Sequence, residues 1–254
     1  MRKKIVIVSD CIDAAYNEMR QKINSYIDLY GDFDIEIEPL VPVKNFSMIN
    51  AQFLTRLMAE IYPPGTIFMT IIGPTRFKSE RIFFESKKGQ IFVGANSGIF
   101  SWIVNDFGIK TIFKFNNQNW VSFGGKNVSA EITAKIACNF PYRKIGINFN
   151  KKDFYNQNIL DGTIVHIDNF GLMKIKNAQL NLKEGTKLEL FLNSKKFAVG
   201  IYAERMMDYS DGTWVLYNGS SLWGMPELGR VRKDTSTLKT KIKVGDNIKW
   251  RIKK

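Results

Sequence analysis

The chain has 254 residues, enough for one large domain or two ordinary ones, and 44% hydrophobic content suits a globular protein with a sizeable core. One histidine, His166, and two cysteines, Cys11 and Cys138, in no metal-type spacing leave almost no material for zinc chemistry or Ser-His-Asp catalysis; they also disfavour a structural disulfide, which points to an intracellular, cytoplasmic setting. The net charge of +13 raises nucleic acid or another anion as a partner, although no recognised nucleic-acid motif accompanies it.

The opening MRKKIVIVSD has an apolar part of only Ile5 to Val8, followed at once by Asp10, and reads as a first strand and not as a signal peptide. Ala15, Met19, Ile23 and Ile27 recur at helical spacing and predict a helix over 14–30. Phe33, Ile35 and Ile37 alternate with acids in a second strand ended by prolines. Ser47 fits an N-cap before a helix over 48–61, and Tyr62-Pro63-Pro64-Gly65 stops it. TIFMTII is a third strand running into Gly73-Pro74. RIFFES and QIFVGA read as a hairpin turning at Lys87-Lys88-Gly89. Helices are expected over 99–107, capped by Gly108, and over 129–139, stopped by Pro141. This alternation predicts an α/β domain over 1–142 with a largely parallel, helix-covered sheet. No apolar run approaches the roughly 18–20 residues of a membrane span, so no membrane partner is expected.

Residues 143–158 are polar and read as a linker. Beyond them GTIVHID, FGLMKI, TKLELFL, FAVGIYA, GTWVLYN and KVGDNIKWRI are short strands with glycine-bearing turns, predicting a smaller all-β barrel or sandwich over 159–254. Its end is basic: Arg230 to Lys254 holds ten Lys/Arg against Asp234 and Asp246. Trp102, Trp120, Trp214, Trp223 and Trp250 read as core or interface, and His166, mid-strand near Asp168, as a structural histidine.

Three loop-forming stretches follow strands of the first half: Ser9-Asp10, Gly73-Pro74 and Ala95-Asn96-Ser97-Gly98. In such folds the carboxyl ends of strands carry the ligand. An Asp there suits a bidentate hydrogen bond to vicinal hydroxyls such as a ribose diol; its plainer role is a helix N-cap.

These stretches, in this order, resemble the S-adenosylmethionine (SAM) hydroxide adenosyltransferase family, relatives of the fluorinase and chlorinase enzymes. Tyr62 to Phe68 is very close to the family's "YPPGTVF"; Phe92 to Gly98 is similar to "FVGPDNG", Gly162 to Gly171 to the barrel's "D-x-F-G-N" strand, and Lys243 to Asp246 to its closing "KVGD". The resemblance implies SAM bound at a subunit interface of a homotrimer, with no further cofactor and no metal. Attack on the ribose 5′-carbon then releases methionine, and with water the other product is adenosine. It further implies ligand-binding roles for Asp10 (ribose diol), Phe46 (beside the ribose), Asn96, Asp168 (methionine ammonium), Ser220 or Ser221 (methionine carboxylate) and Arg232.

The catalytic set implied for the hydrolytic members is an Asp, an Arg and a His. Aligned residue by residue, Arg81 matches the Arg, while Gly73 and Gly124 stand where the Asp and the His are expected. Leu172 stands at the Asn of "F-G-N". Three readings follow: a SAM hydrolase with weak or altered turnover, in which Glu80 or Lys126 would have to substitute; a non-catalytic adenosyl-ligand-binding protein; and a trimeric scaffold with a basic surface.

Overall fold

The computed structural model describes residues 2–31, 33–73, 79–115, 121–233 and 242–253. The predicted Pro74 turn, the polar run Asn116 to Asn119, Trp120 and Asp234 lie outside these residues. The chain divides into two compact units, residues 1–158 and 159–254.

In the first unit β1 (Lys3–Ser9) leads into α1 (Ala14–Tyr30), β2 (Ile35–Ile37), β3 (Val41–Pro42), α2 (Met48–Ile61), β4 (Ile67–Ile71), β5 (Arg81–Ser86), β6 (Ile91–Ala95), α3 (Ser101–Phe107) and β7 (Ile109–Phe115). A π-helical turn (Gly125–Ser129), α4 (Ala130–Ala137), α5 (Tyr142–Ile145) and β8 (Gly146–Asn148) complete it. Among the described residues the sheet order is β2-β1-β4-β6-β5-β7-β8, with β3 also beside β1. β1, β2, β3, β4 and β6 pair in parallel; β5 is antiparallel to β6 and β7, and β8 to β7. Six strands therefore run one way and two the other, a mixed but mostly parallel sheet.

Strand alternation divides the two faces. Ile67, Met69 and Ile71 join Ile5, Ile7, Val93 and Phe83 under α1 and α4. Phe68 stacks on Phe92, and Phe92 on Phe84, on the opposite face. The helix ends follow local chemistry. Asp13 caps α1 by accepting from Ala15 N at 3.1 Å, and Ser47 caps α2 by accepting from Asn50 N at 3.2 Å. Deep in α2, the fully buried Arg56 is held by Glu60 and Asp106, each at 2.7 Å, with the Phe107 ring 4.3 Å from its guanidinium carbon.

The stretch read as a linker carries α5, β8 and a 3-10 turn over Lys151–Asp153. β8 closes one edge of the sheet by pairing Phe113 with Asn148 and Phe115 with Gly146. Its exposed positions explain why it reads as polar: an edge strand buries only part of its surface.

The second unit comprises β9 (Ile164–Ile167), β10 (Met173–Ile175), β11 (Lys187–Leu192), β12 (Lys195–Tyr202), β13 (Trp214–Asn218), β14 (Pro226–Arg230) and β15 (Ile248–Ile252). They form one sheet, order β15-β11-β12-β13-β14-β10-β9. It curls around Ile164, Met173, Leu188, Leu190, Leu216 and Leu228, so that the starts of its edge strands β9 and β15 touch. Thr163 bridges Asn247, Ile164 N donates to Asp246 O at 2.8 Å, and Ile248 N donates to Gly162 O at 2.7 Å. The unit is an all-β curled sheet of half-barrel form, built from a single sheet and not two stacked ones. Among the described residues, no helix is long and apolar enough to cross a membrane, and no cluster of His, Cys, Asp and Glu is suited to a metal ion.

Candidate functional site

The carboxyl ends of β1, β3, β4, β6 and β7 lie along one edge of the first sheet, and antiparallel β5 begins there, with Arg81 opposite Ala95. Asp10, Phe46, Gly73, Arg81 and Asn96 all follow or begin strands at this edge.

Asp10 is the hub. Its Oδ2 accepts from Phe46 N at 2.8 Å, and Gly73 N is shared between Oδ1 at 2.9 Å and Oδ2 at 3.1 Å. The helix-cap role belongs to Asp13, so Asp10 is not an N-cap. An ionised carboxylate offers about four acceptor positions, and these loop amides leave room for a further donor. Phe46 has φ +59° and is 69% exposed. A large side chain in left-handed backbone, with its ring open to solvent, is a strained arrangement of the kind found at ligand sites.

The two glycines are closely overlaid. A Cβ on Gly73 would lie 2.7 Å from Phe46 Cε1 and 3.2 Å from Asp10 Oδ2. A Cβ on Gly124 would lie 2.6 Å from Arg81 Nη2. Gly124 has ordinary right-handed backbone, φ −59°, so the want of a side chain there is a matter of space. Phe46 and Arg81 thus occupy the ground beside both glycines. Burial lowers the Arg81 guanidinium from its usual range, though an arginine stays cationic. It makes no hydrogen bond or ion pair with any other described residue.

The proposed substitutes are engaged elsewhere: Glu80 pairs with Lys114 at 3.2 Å and Lys126 with Glu18 at 3.3 Å. Asn96 holds its own chain, donating to Asp153 O at 3.0 Å and accepting from Tyr155 N at 2.8 Å. The π-helical turn after Gly124, with Phe123 at φ +49°, was not legible in the sequence, where a helix start at Ser129 was expected. The Gly124-Gly125 pair was its only signal. Such turns are single insertions in a helix and concentrate at functional sites.

In the second unit, Asp168 Oδ1 accepts from Phe170 N and Leu172 N, each at 2.9 Å, and closes the β9–β10 turn. Ser220 is exposed and Ser221 half-buried, in a turn where Leu222 and Trp223 both have positive φ. Arg232, φ +46°, lies 4.0 Å from Asp211. Leu172 packs over Gly229.

A polar row crosses four strands near Asp168: His166 opposite Lys174, Lys174 opposite Glu227, and Glu227 opposite Tyr217. Lys174 is ion-paired to Glu227, and Tyr217 OH donates to Glu227 Oε2 at 2.6 Å. Burial, then the Lys174 charge, lowers the His166 pKa, while Asp168 and Glu227 oppose the shift. The folded state therefore binds its proton less readily than the unfolded chain, and stability falls as pH drops through about 6.5 toward the folded value. His166 is the chain's only histidine. The melting temperature is expected to drop between about pH 7.5 and about pH 5.5, and His166→Gln to flatten that drop. An equal drop in the variant would refute the assignment.

A strand-end carboxylate, a strained exposed aromatic ring and a desolvated arginine sit together at the carboxyl edge of a mostly parallel sheet, the place in an α/β fold where a small-molecule site is sought. Residues 34–146 match the SAM hydroxide adenosyltransferase N-terminal domain, so the first unit carries a domain of the SAM hydroxide adenosyltransferase family. It is 27% identical over 154 residues to an (R)-S-adenosyl-L-methionine hydrolase of Methanocaldococcus jannaschii; the match covers 56% of this chain and 54% of that protein, about half the relative's length. A conserved protein from Thermotoga maritima superposes with a TM-score of 0.80 at 17% identity, covering 97% of this chain and 99% of that one. A conserved hypothetical protein from Thermus thermophilus gives 0.77 at 15% identity, covering 99% and 100%. These two likenesses establish the fold.

Proposed function

We propose that the chain binds SAM or a related adenosyl ligand at the carboxyl edge of the first sheet and hydrolyses it weakly, to adenosine and methionine. The observation that carries this reading is the Asp10 carboxylate, fixed by Phe46 N and Gly73 N at the end of β1 while not serving as a helix cap. In this reading it accepts from the ribose hydroxyls, and the Phe46 ring flanks the sugar. Arg81 supplies positive charge beside the reacting carbon. Methionine leaves as a neutral thioether from a sulfonium, so the leaving group needs no proton. What the reaction lacks is a group to take the proton of water; general-base help is typically worth about 10²–10⁴-fold. Gly73 and Gly124 stand at the two positions where the family resemblance places such groups.

The same reading puts Asp168 and Ser220 or Ser221 of a second copy on the amino-acid end of the ligand, in a trimer. A non-catalytic binding role is favoured by one observation: Phe46 and Arg81 already overlie both glycines. Calorimetry with SAM, followed by chromatography of the same sample after prolonged incubation, separates the two. Binding with slow adenosine release is expected. Binding without product makes the chain a receptor, and no binding overturns both.

A further inference from the structure

The outer face of β15, β11 and β12 carries a pattern that the adenosyl site does not use. Three cross-strand rows lie on it. Lys249 pairs with Phe191 and Phe191 with Lys196; Arg251 pairs with Glu189 and Glu189 with Val199; Lys187 lies beyond them opposite Ile201, with Lys253 N donating to Lys187 O. Directly opposed residues share a face, and the intervening Leu188, Leu190 and Leu192 turn into the core, so these side chains point outward.

The charge on this face is one-sided. Glu189 is its one acid, and it already holds Lys196 and Arg251, which depress its carboxyl below the usual range. Lys187, Lys249 and Lys253 are exposed and make no ion pair with any described residue. Alternate residues along a strand are about 7 Å apart and neighbouring strands about 5 Å apart. Lys249, Arg251 and Lys253 thus form a column of cations along β15, and Lys196 stands on the far side of Phe191. The Phe191 ring is half-buried at the centre, with the Arg251 guanidinium carbon 5.0 Å from its centroid.

We infer that this face binds single-stranded nucleic acid. The broad outer face of a curled three-strand surface does not fit a duplex groove as a single helix does, whereas a ring set among cations offers a base a stacking surface and its phosphates a track. Val199, 45% exposed, is the main apolar group beside Phe191, too little to enter a bilayer. The site is independent of the adenosyl pocket, and its failure leaves that reading intact.

The test is fluorescence anisotropy of the whole protein with labelled oligouridylate and oligothymidylate, a duplex of equal length, and phosphatidylserine vesicles. Single strands are expected to bind more tightly than the duplex and to weaken between about 50 mM and about 200 mM salt. Lys249→Ala with Lys253→Ala is expected to reduce the log–log salt slope by about 1.4, at roughly 0.7 per cation removed. Phe191→Ala is expected to weaken binding by about 5- to 150-fold, the range of one lost base stack. Phe191→Leu keeps apolar bulk if the Ala variant melts early, and is expected to weaken binding as well. Lys152→Ala, exposed in the first unit, serves as a charge control. Preference for duplex or vesicles, no binding at low salt, or affinities unmoved by the face variants beyond the control would each overturn the inference.

Discussion

Replacing Gly73 with Asp and Gly124 with His in one chain is expected to raise adenosine release from SAM by about 10²-fold or more over the wild type, the low end of general-base assistance. Neither change enters empty space. The atom nearest a Cβ at 124 is Arg81 Nη2, the far end of a flexible side chain, so the imidazole has to move the guanidinium. At 73 the nearest atoms belong to the exposed Phe46 ring, which can swing outward. The Asp10 carboxylate oxygen lies 3.2 Å from where that Cβ would stand, and two carboxylates so close push one pKa upward, toward the range a base needs. The displaced Arg81 then offers the pair a counter-charge. Each single variant is expected to gain less, because one holds a base without its partner and the other moves Arg81 without supplying a carboxylate. Product formation is read by chromatography, with thermal melting and SAM calorimetry on the same preparations. A double variant that folds, binds SAM as tightly as the wild type and releases no more adenosine would show that these positions are not where proton transfer is arranged.

Asp10→Ala is expected to abolish the wild-type preference for adenosine over 2′,3′-dideoxyadenosine. A hydrogen bond to a charged group is worth about 1.5–3 kcal/mol, so the preference itself should be about 10- to 150-fold. Loss of affinity alone would be ambiguous. Asp10 also anchors the loops at Phe46 and Gly73, and its removal loosens both whatever the ligand. The discrimination ratio answers this, since a loop anchor has no reason to distinguish a sugar with hydroxyls from one without. Asp10→Asn keeps an acceptor for the loop amides and removes the charge; it is expected to retain the fold and lose most of the preference. If either variant prefers adenosine as strongly as the wild type does, the diol is read elsewhere.

Local signals in the sequence carried much of the first unit. The α1 and α2 spans followed from apolar periodicity and the Ser47 cap, and the β5–β6 hairpin from its Lys87-Lys88-Gly89 turn. β7 and β14 were not legible. IKTIFKF mixes lysines with apolar residues, and its strand character rests on Phe83 stacking against Phe113 at 5.3 Å. PELGR contains Pro, Glu and Gly, a composition that favours turns, yet β13 and β10 flank it on both sides and force it into the sheet. For the site, residue identities at Asp10, Arg81, Gly73 and Gly124 were readable as a resemblance, but their contacts were not.

By itself, then, the sequence determined what short-range physics governs: where helices begin and stop, which strand ends carry small or acidic residues, and which residues are missing from the chain, such as a second histidine. The tertiary structure decided what depends on distant segments meeting. It assigned the α1 cap to Asp13 and released Asp10 to join loops 36 and 63 residues away. It laid Phe46 over Gly73 and Arg81 over Gly124. It also brought Lys249 and Lys196, far apart in the chain, to either side of Phe191. Register and packing have no signature in a local window, because the partner that fixes each one lies elsewhere in the chain.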